Sequence, residues 1–144
     1  MIKVKKLDEF TTLPTKGSSK AAGFDLYACI PEGQMTIWPG ECRKVGTGVA
    51  IQPPEGYFGA IYARSGLATK NGLRPGNCVG IADEDYEGEY IVALYNDSQR
   101  PQEIHHGDRI AQVVFQPYLT DEMVEVKELD KTERGSGGFG STGR

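Results

Sequence analysis

Apolar residues fall on every second position through much of the chain, in short runs broken by Gly, Pro, Asn and Asp. Between Met1 and Glu9, Ile2, Val4 and (less regularly) Leu7 alternate with lysines. That is the pattern of an opening edge strand, whose charges discourage unwanted pairing. A polar loop follows over Pro14–Lys20. In Ala21–Ala28, Phe24, Leu26 and Ala28 alternate with Asp25 and Tyr27, which predicts a strand with one carboxylate on its polar face. Gly33 and Pro39-Gly40 bound a short strand at Met35–Trp38, and Cys42–Gln52 is a longer one stopped by Pro53-Pro54-Glu55-Gly56.

Tyr57–Ala63 is apolar and aromatic and runs straight into Arg64-Ser65-Gly66. Ser65–Asn71 is the one stretch that reads as a helix, with Ser65 as N-cap and Asn71-Gly72 as its stop. Cys78–Ala82 and Glu89–Tyr95 are β-prone arms on either side of an acidic turn that contains Gly88, and together they read as a hairpin. Asn96–Gln102 is expected as a loop, His105–Asp108 as a turn and Arg109–Phe115 as a strand. Val124 and Val126 mark a last strand, and from Asp130 the chain turns polar and Gly-rich. Many short strands with one short helix predict an all-β domain, a jelly-roll-like β-barrel over residues 1–130. Residues 131–144 form a flexible Gly-rich arm beyond it.

Composition narrows the function more than the fold. With 144 residues, 38% of them hydrophobic, the chain is long enough to bury a core of its own. A net charge of −4 argues against a nucleic-acid or membrane-surface binder, though a few arginines and a divalent cation can reverse the field at one site. Three cysteines without C-x-x-C spacing, Cys29, Cys42 and Cys78, suit neither a disulfide framework nor a zinc site. No leader-like segment and no run near the ~18 apolar residues of a membrane span is visible. A cytoplasmic setting is the expectation.

Three stretches carry candidate chemistry. The acidic turn, Asp83-Glu84-Asp85-Tyr86-Glu87-Gly88, has more charge repulsion than a plain connection needs, so something outside the chain is expected to offset it. It imitates the start of a calcium loop, but the twelfth position is Leu94 instead of Glu. Arg64-Ser65-Gly66 reads either as a surface helix cap or as an anion site of guanidinium, hydroxyl and helix amides. In the tail, Arg134, Phe139, Gly140, Ser141 and Thr142 combine cation, aromatic ring, glycine amides and hydroxyls, a set that suits a clamp over a polyphosphate. Arg109 and Gln112, three apart on a strand, face opposite sides unless a bulge intervenes, and Arg109 reads equally as a structural ion-pair partner. His105-His106 has no metal-site spacing, and Gly-X-Ser-X-Gly is absent.

In order along the chain, AAGFDLYA (Ala21–Ala28), ARSGLA (Ala63–Ala68), NCVGIADEDYEGE (Asn77–Glu89), GDRIAQ (Gly107–Gln112) and RGSGGFGSTG (Arg134–Gly143) resemble the five motifs of the trimeric dUTP diphosphatase (dUTPase) family. Ala63, Ala82 and Glu87 depart from the family's commoner Pro, larger aliphatic and basic residue. The resemblance implies a homotrimer whose active sites lie between subunits, each closed by another subunit's tail. It implies Mg2+-dependent hydrolysis of dUTP to dUMP and pyrophosphate, which keeps uracil out of DNA and supplies dUMP for thymidylate synthesis.

The resemblance also distributes roles among the residues. Asp83 is the general base for water attacking the α-phosphorus. Arg64, Ser65 and Gly66 hold phosphates, and Gln112 lies close to the metal and its waters. Mg2+ is chelated by the triphosphate and no side chain binds it directly; Asp25 and Gln112 reach it at most through water. Asn77, the backbone of Ile81, Ala82 and Asp83, and Ile91 face the uracil. Tyr86 lies beneath the deoxyribose, Phe139 stacks on the base, and Arg134, Gly140, Ser141 and Thr142 grip the γ-phosphate. Two rivals share the fold: a dCTP deaminase, against which Asp83-x-x-Tyr86 argues, and a non-catalytic protein-binding module such as a phage-type regulator.

Overall fold

In the computed structural model, residues 1–138 are described. Ten strands and one helix follow in order: β1 (Lys3–Lys6), β2 (Phe24–Tyr27), β3 (Gln34–Ile37), β4 (Cys42–Gln52), β5 (Tyr57–Tyr62), α1 (Ser65–Asn71), β6 (Leu73–Pro75), β7 (Val79–Ala82), β8 (Glu89–Asn96), β9 (Gln102–His105) and β10 (Arg109–Pro117). One sheet has the order β1-β4-β8-β6 and a second the order β2-β10-β5-β7, while β3 and β9 pair as a ribbon. All pairings are antiparallel. The fold is jelly-roll-like, as the strand pattern predicts. Leu26, Val45, Leu73, Tyr90, Val92, Leu94, Ile104, Ile110 and Val113 form the dry interior, each at most 2% exposed.

Alternation fixes which face of each strand is buried. In β8 every second residue from Tyr90 to Asn96 is inside, and in β7 Gly80 and Ala82 are inside while Ile81 faces out. The two arms around the acidic turn do not pair with each other. β7 pairs with β5 (Gly59↔Ala82 to Tyr62↔Val79), whereas β8 pairs with β4 and β6. The expected hairpin is therefore an arch that passes from one sheet to the other. Its cause lies upstream: Gly76 N–H still bonds the Ala93 carbonyl on β8 (2.8 Å), and Cys78, at φ 65, then turns the chain towards β5.

The other departures from the alternation pattern have equally local reasons. β6 and β9 are too short to announce themselves, and β6 tolerates Pro75 because it lies at a sheet edge. Thus Gln102 is the first residue of a strand, not the last of a loop. Val124 and Val126 form no strand and pair with nothing among the described residues, and both are exposed. The helix has the expected bounds, but Arg64 holds the N-cap position with extended backbone and Ser65 is the first helical residue, without a capping bond. Gly72, at φ 68, closes its C-terminus through bonds to the Leu67 and Ala68 carbonyls.

Candidate active site

β2 and β10 bring together the first cluster. Asp25 pairs directly with Gln112, and Tyr27 with Arg109, with a register shift between Arg109 and Ala111. That bulge makes Ile110 and Ala111 both buried and turns Arg109 onto the same face as Gln112 and Asp25. Arg64 Nε donates to Asp25 Oδ1 at 2.9 Å, and Arg109 Nη1 donates to Asp25 Oδ2 at 3.3 Å. Both roles read for Arg109 in the sequence, ion-pair partner and site neighbour, are thus met by one side chain. Two guanidinium groups share one carboxylate, which leaves a positive balance beside the exposed Ser65 and Gly66. Gln112 Nε2 donates to the Ala63 carbonyl (3.0 Å), and its Oε1 is turned towards Gly23, where a Cβ would stand 3.0 Å from it.

The arch forms the second cluster. Ile81, Asp83, Glu84, Asp85, Tyr86 and Glu87 line a cavity of about 1260 Å³, whose other wall includes Lys3 and Lys5 of β1. The Asp83 carboxylate is exposed and makes no hydrogen bond among the described residues, while its carbonyl accepts from Tyr86 N–H (3.1 Å) to close the turn. Tyr86 folds back over the turn, donating its hydroxyl to the Glu89 carbonyl (2.9 Å) and resting 6.2 Å from the Tyr90 ring. Gly88 is required there, since a Cβ would come within 2.5 Å of the Tyr86 hydroxyl. Ala82 is buried, so only its backbone faces the site, whereas Asn77 is exposed with Nδ2 over Gly80, and Ile91 is exposed on the other sheet.

The two clusters stand apart. β5 and β7 run antiparallel, with Tyr62 opposite Val79 and Gly59 opposite Ala82, so Arg64 and Asp83 leave opposite ends of that ladder. Six residues of extended chain between the levels of Phe58 and Arg64 span about 20 Å. Arg134 is exposed in the C-terminal segment, where its Nε donates to the Gly137 carbonyl (2.9 Å). Phe139, Gly140, Ser141 and Thr142 lie outside the described residues. Among those described, no three His, Cys, Asp or Glu side chains converge on a point that suits a metal.

Non-local partners escaped the sequence reading. Glu84 and Tyr118 are hydrogen-bonded at 2.7 Å, and this bond, with burial and the charges of Glu84, Asp85 and Asp83, raises the Tyr118 pKa above the usual phenol value. Tyr90 is buried behind Tyr86, with no partner for its hydroxyl among the described residues; burial, then the neighbouring Tyr86, push its pKa up to about 12. An aromatic at a position that alternation makes a core residue was the available signal for Tyr90, whereas no local pattern points to Tyr118.

Residues 9–143 match the dUTPase family model. A deoxyuridine 5'-triphosphate nucleotidohydrolase of Desulfitobacterium hafniense is 46% identical over 147 residues, covering 99% of this chain and 97% of that protein. The chain belongs to the dUTPase family. Its class is therefore that of the nucleotidohydrolase enzymes. Among solved structures, a mutant dUTPase of Staphylococcus bacteriophage 80alpha with dUpNHpp superposes with a TM-score of 0.90 at 27% identity, covering 100% of this chain and 99% of that one. A mutant dUTPase of phage phi11 of S. aureus, described with a structural Mg(II) ion, gives 0.81 at 25% identity, covering 91% and 99%. No helix of the described residues is long and apolar enough to cross a membrane.

Proposed function

We propose that the chain hydrolyses dUTP to dUMP and pyrophosphate as a homotrimer with shared active sites. The observation that carries this reading is the Asp83 carboxylate, exposed on the wall of the large cavity and free of partners among the described residues. In that state it can take a proton from water attacking the α-phosphorus, a role worth about 10^2 to 10^4 in rate. The arginine cluster at the far end of β5 suits the phosphates: Arg64, aimed by Asp25, with Ser65 and Gly66 beside it. Because the two clusters lie at opposite ends of the β5–β7 ladder, a complete site needs Asp83 from one subunit and Arg64 from another. Exposed Leu119, Met123, Val124, Val126 and Leu129 in the C-terminal segment fit a chain that packs against neighbours.

The arch serves base and sugar recognition in this reading. Asn77 and the backbone of Ile81, Ala82 and Asp83, with Ile91, pair with the uracil edge, and Tyr86 supports the deoxyribose and leaves no room for a 2′-hydroxyl. Fixed hydrogen bonds can reject cytosine by ~10^4, whereas thymine must be excluded by shape. The tail, with Arg134, Phe139, Gly140, Ser141 and Thr142, closes over base and γ-phosphate.

The donor set fits a magnesium ion that arrives on the triphosphate. Both Asp25 oxygens are engaged by arginines, so Asp25 and Gln112 would meet the ion through its waters. When bound, Mg2+ supplies charge neutralisation on the phosphate oxygens. Removing dUTP in this way keeps uracil out of DNA and supplies dUMP for thymidylate synthesis.

Incubation with each common dNTP and Mg2+, scoring pyrophosphate, monophosphate and ammonia, tests the proposal. dUTP alone should turn over, and Asp83→Asn should abolish turnover while dUTP still binds. Ammonia from dCTP, or equal turnover of dTTP, would overturn it.

A further inference from the structure

Of the arch carboxylates to which the hydrolytic reading gives no role, Glu84 is the one drawn into the fold. Asp83, Asp85, Tyr86 and Glu87 are all exposed, but Glu84 is half-buried. Its Oε2 accepts two hydrogen bonds, from Gly56 N–H at 2.8 Å and from the Tyr118 hydroxyl at 2.7 Å. Gly56, at φ 76, lies in the turn between β4 and β5, and Tyr118 is the first residue beyond β10. These two are themselves joined, since Tyr118 N–H bonds the Gly56 carbonyl (3.2 Å), and the Tyr118 ring meets Phe58 edge-on at 6.2 Å. Three segments distant in sequence therefore meet at one oxygen. At the other end of the arch, Glu89 Oε1 accepts from Gly48 N–H at 2.7 Å, inside the irregularity of β4. Two carboxylates thus pin the arch to backbone amides at both ends. Such charge-assisted bonds are about twice as strong as neutral ones.

We propose that Glu84 is the positioning residue for Asp83: by holding Gly56 and Tyr118 it fixes the backbone of the arch so that the neighbouring carboxylate points into the cavity. The proposal rests on the reading of Asp83 as the base. A sideways slip of that carboxylate by about 1 Å is enough to cost ~10^2 in rate. Because Tyr118 is where the C-terminal segment leaves the barrel, the same bond ties the aim of Asp83 to the root of the arm. The other charged and titratable groups on the walls of this cavity are Asp85, Tyr86 and Glu87 on the arch, Glu55 of the β4–β5 turn, Lys3 and Lys5 of β1, and Tyr118.

Steady-state kinetics on Glu84→Gln, Glu84→Ala and Tyr118→Phe, with amide exchange at Gly56, test the inference. Glu84→Ala should lower kcat about 10- to 100-fold with KM within about twofold, as expected for loss of aim without loss of binding. Tyr118→Phe, which removes a single oxygen, should lower kcat about 3- to 10-fold, the effect of one lost hydrogen bond. Glu84→Gln, which keeps one acceptor oxygen for Gly56 and Tyr118, should fall between them. Gly56 should exchange faster in both Glu84 variants while core amides stay protected. Faster exchange at Gly56 with unchanged kcat would overturn the proposal, and so would an unchanged Tyr118→Phe if Glu84→Ala proves to lose its core protection. A fully active Asp83→Asn would instead sink the assignment of the base, a separate failure.

Discussion

Asp25 and Arg64 lie 39 residues apart in sequence and 2.9 Å apart in space, the arginine Nε donating to the aspartate Oδ1. Their side chains are only 14% and 28% exposed, so the pair is largely withdrawn from solvent screening. Arg109 takes the second oxygen from the opposite side of the bulge in β10. One carboxylate therefore orders two guanidinium groups, and the chemistry of the cluster follows from its geometry.

Asp25→Ala should free both arginines to swing. We expect kcat/KM for dUTP to fall about 10- to 100-fold, the loss typical of a misplaced phosphate ligand. Asp25→Asn, which keeps one acceptor oxygen for Arg64, should fall less. Kinetics on both variants decide the matter; equal activity in wild type and Asp25→Ala would show that Arg64 needs no support.

The separation of Arg64 from Asp83 along β5 predicts complementation. Arg64→Ala and Asp83→Asn are each expected to be inactive alone. Refolded together in equal amounts, they should regain activity, because a site drawing Asp83 from one chain and Arg64 from another is intact in about one quarter of random pairings in a closed ring. A single-chain site would give no recovery.

Tyr90 makes a prediction about stability and pH. Its hydroxyl is buried without a partner among the described residues, so Tyr90→Phe removes an uncompensated desolvation and should leave stability unchanged or raise it by about 1 kcal/mol. The wild-type phenol is held protonated up to about 12, whereas in the unfolded chain it ionises near its ordinary value of 10.0. Its contribution is complete below the unfolded value and is lost as pH rises towards the folded one, because only the unfolded state gives up its proton in that window. Denaturant melts between those pH values should decline less steeply in Tyr90→Phe than in wild type.

Much of this arrangement is legible in the chain before any coordinates. β4 and α1 have the predicted bounds because Pro53-Pro54 and Gly72 stop them without ambiguity. The motifs marked Asp83, Tyr86, Arg64 and Gln112 but not their division into two clusters, Asp83 and Tyr86 on the arch and Arg64 and Gln112 beside β10. Period-two alternation reports which face of a strand is buried and nothing about its neighbour, so β7 and β8 read as partners although they belong to different sheets. The same limit hid the meeting of Glu84 with Gly56 and Tyr118, and it made Val124 and Val126 look like a strand that nothing among the described residues completes. The turn of Arg109 onto the Gln112 face depends on one extra residue in β10, which an alternating pattern allows but does not announce.

The arch has its feet in separate layers, so the slot between them is gauged by the thickness of the oily filling. Residues such as Leu26, Val92 and Val113, buried in that filling, thereby act as the spacer of a caliper. Thinning or swelling that filling would blunt the distinction between a bare ring and a methylated one before it stopped the reaction, and the fidelity of such an enzyme would then be a property of its interior.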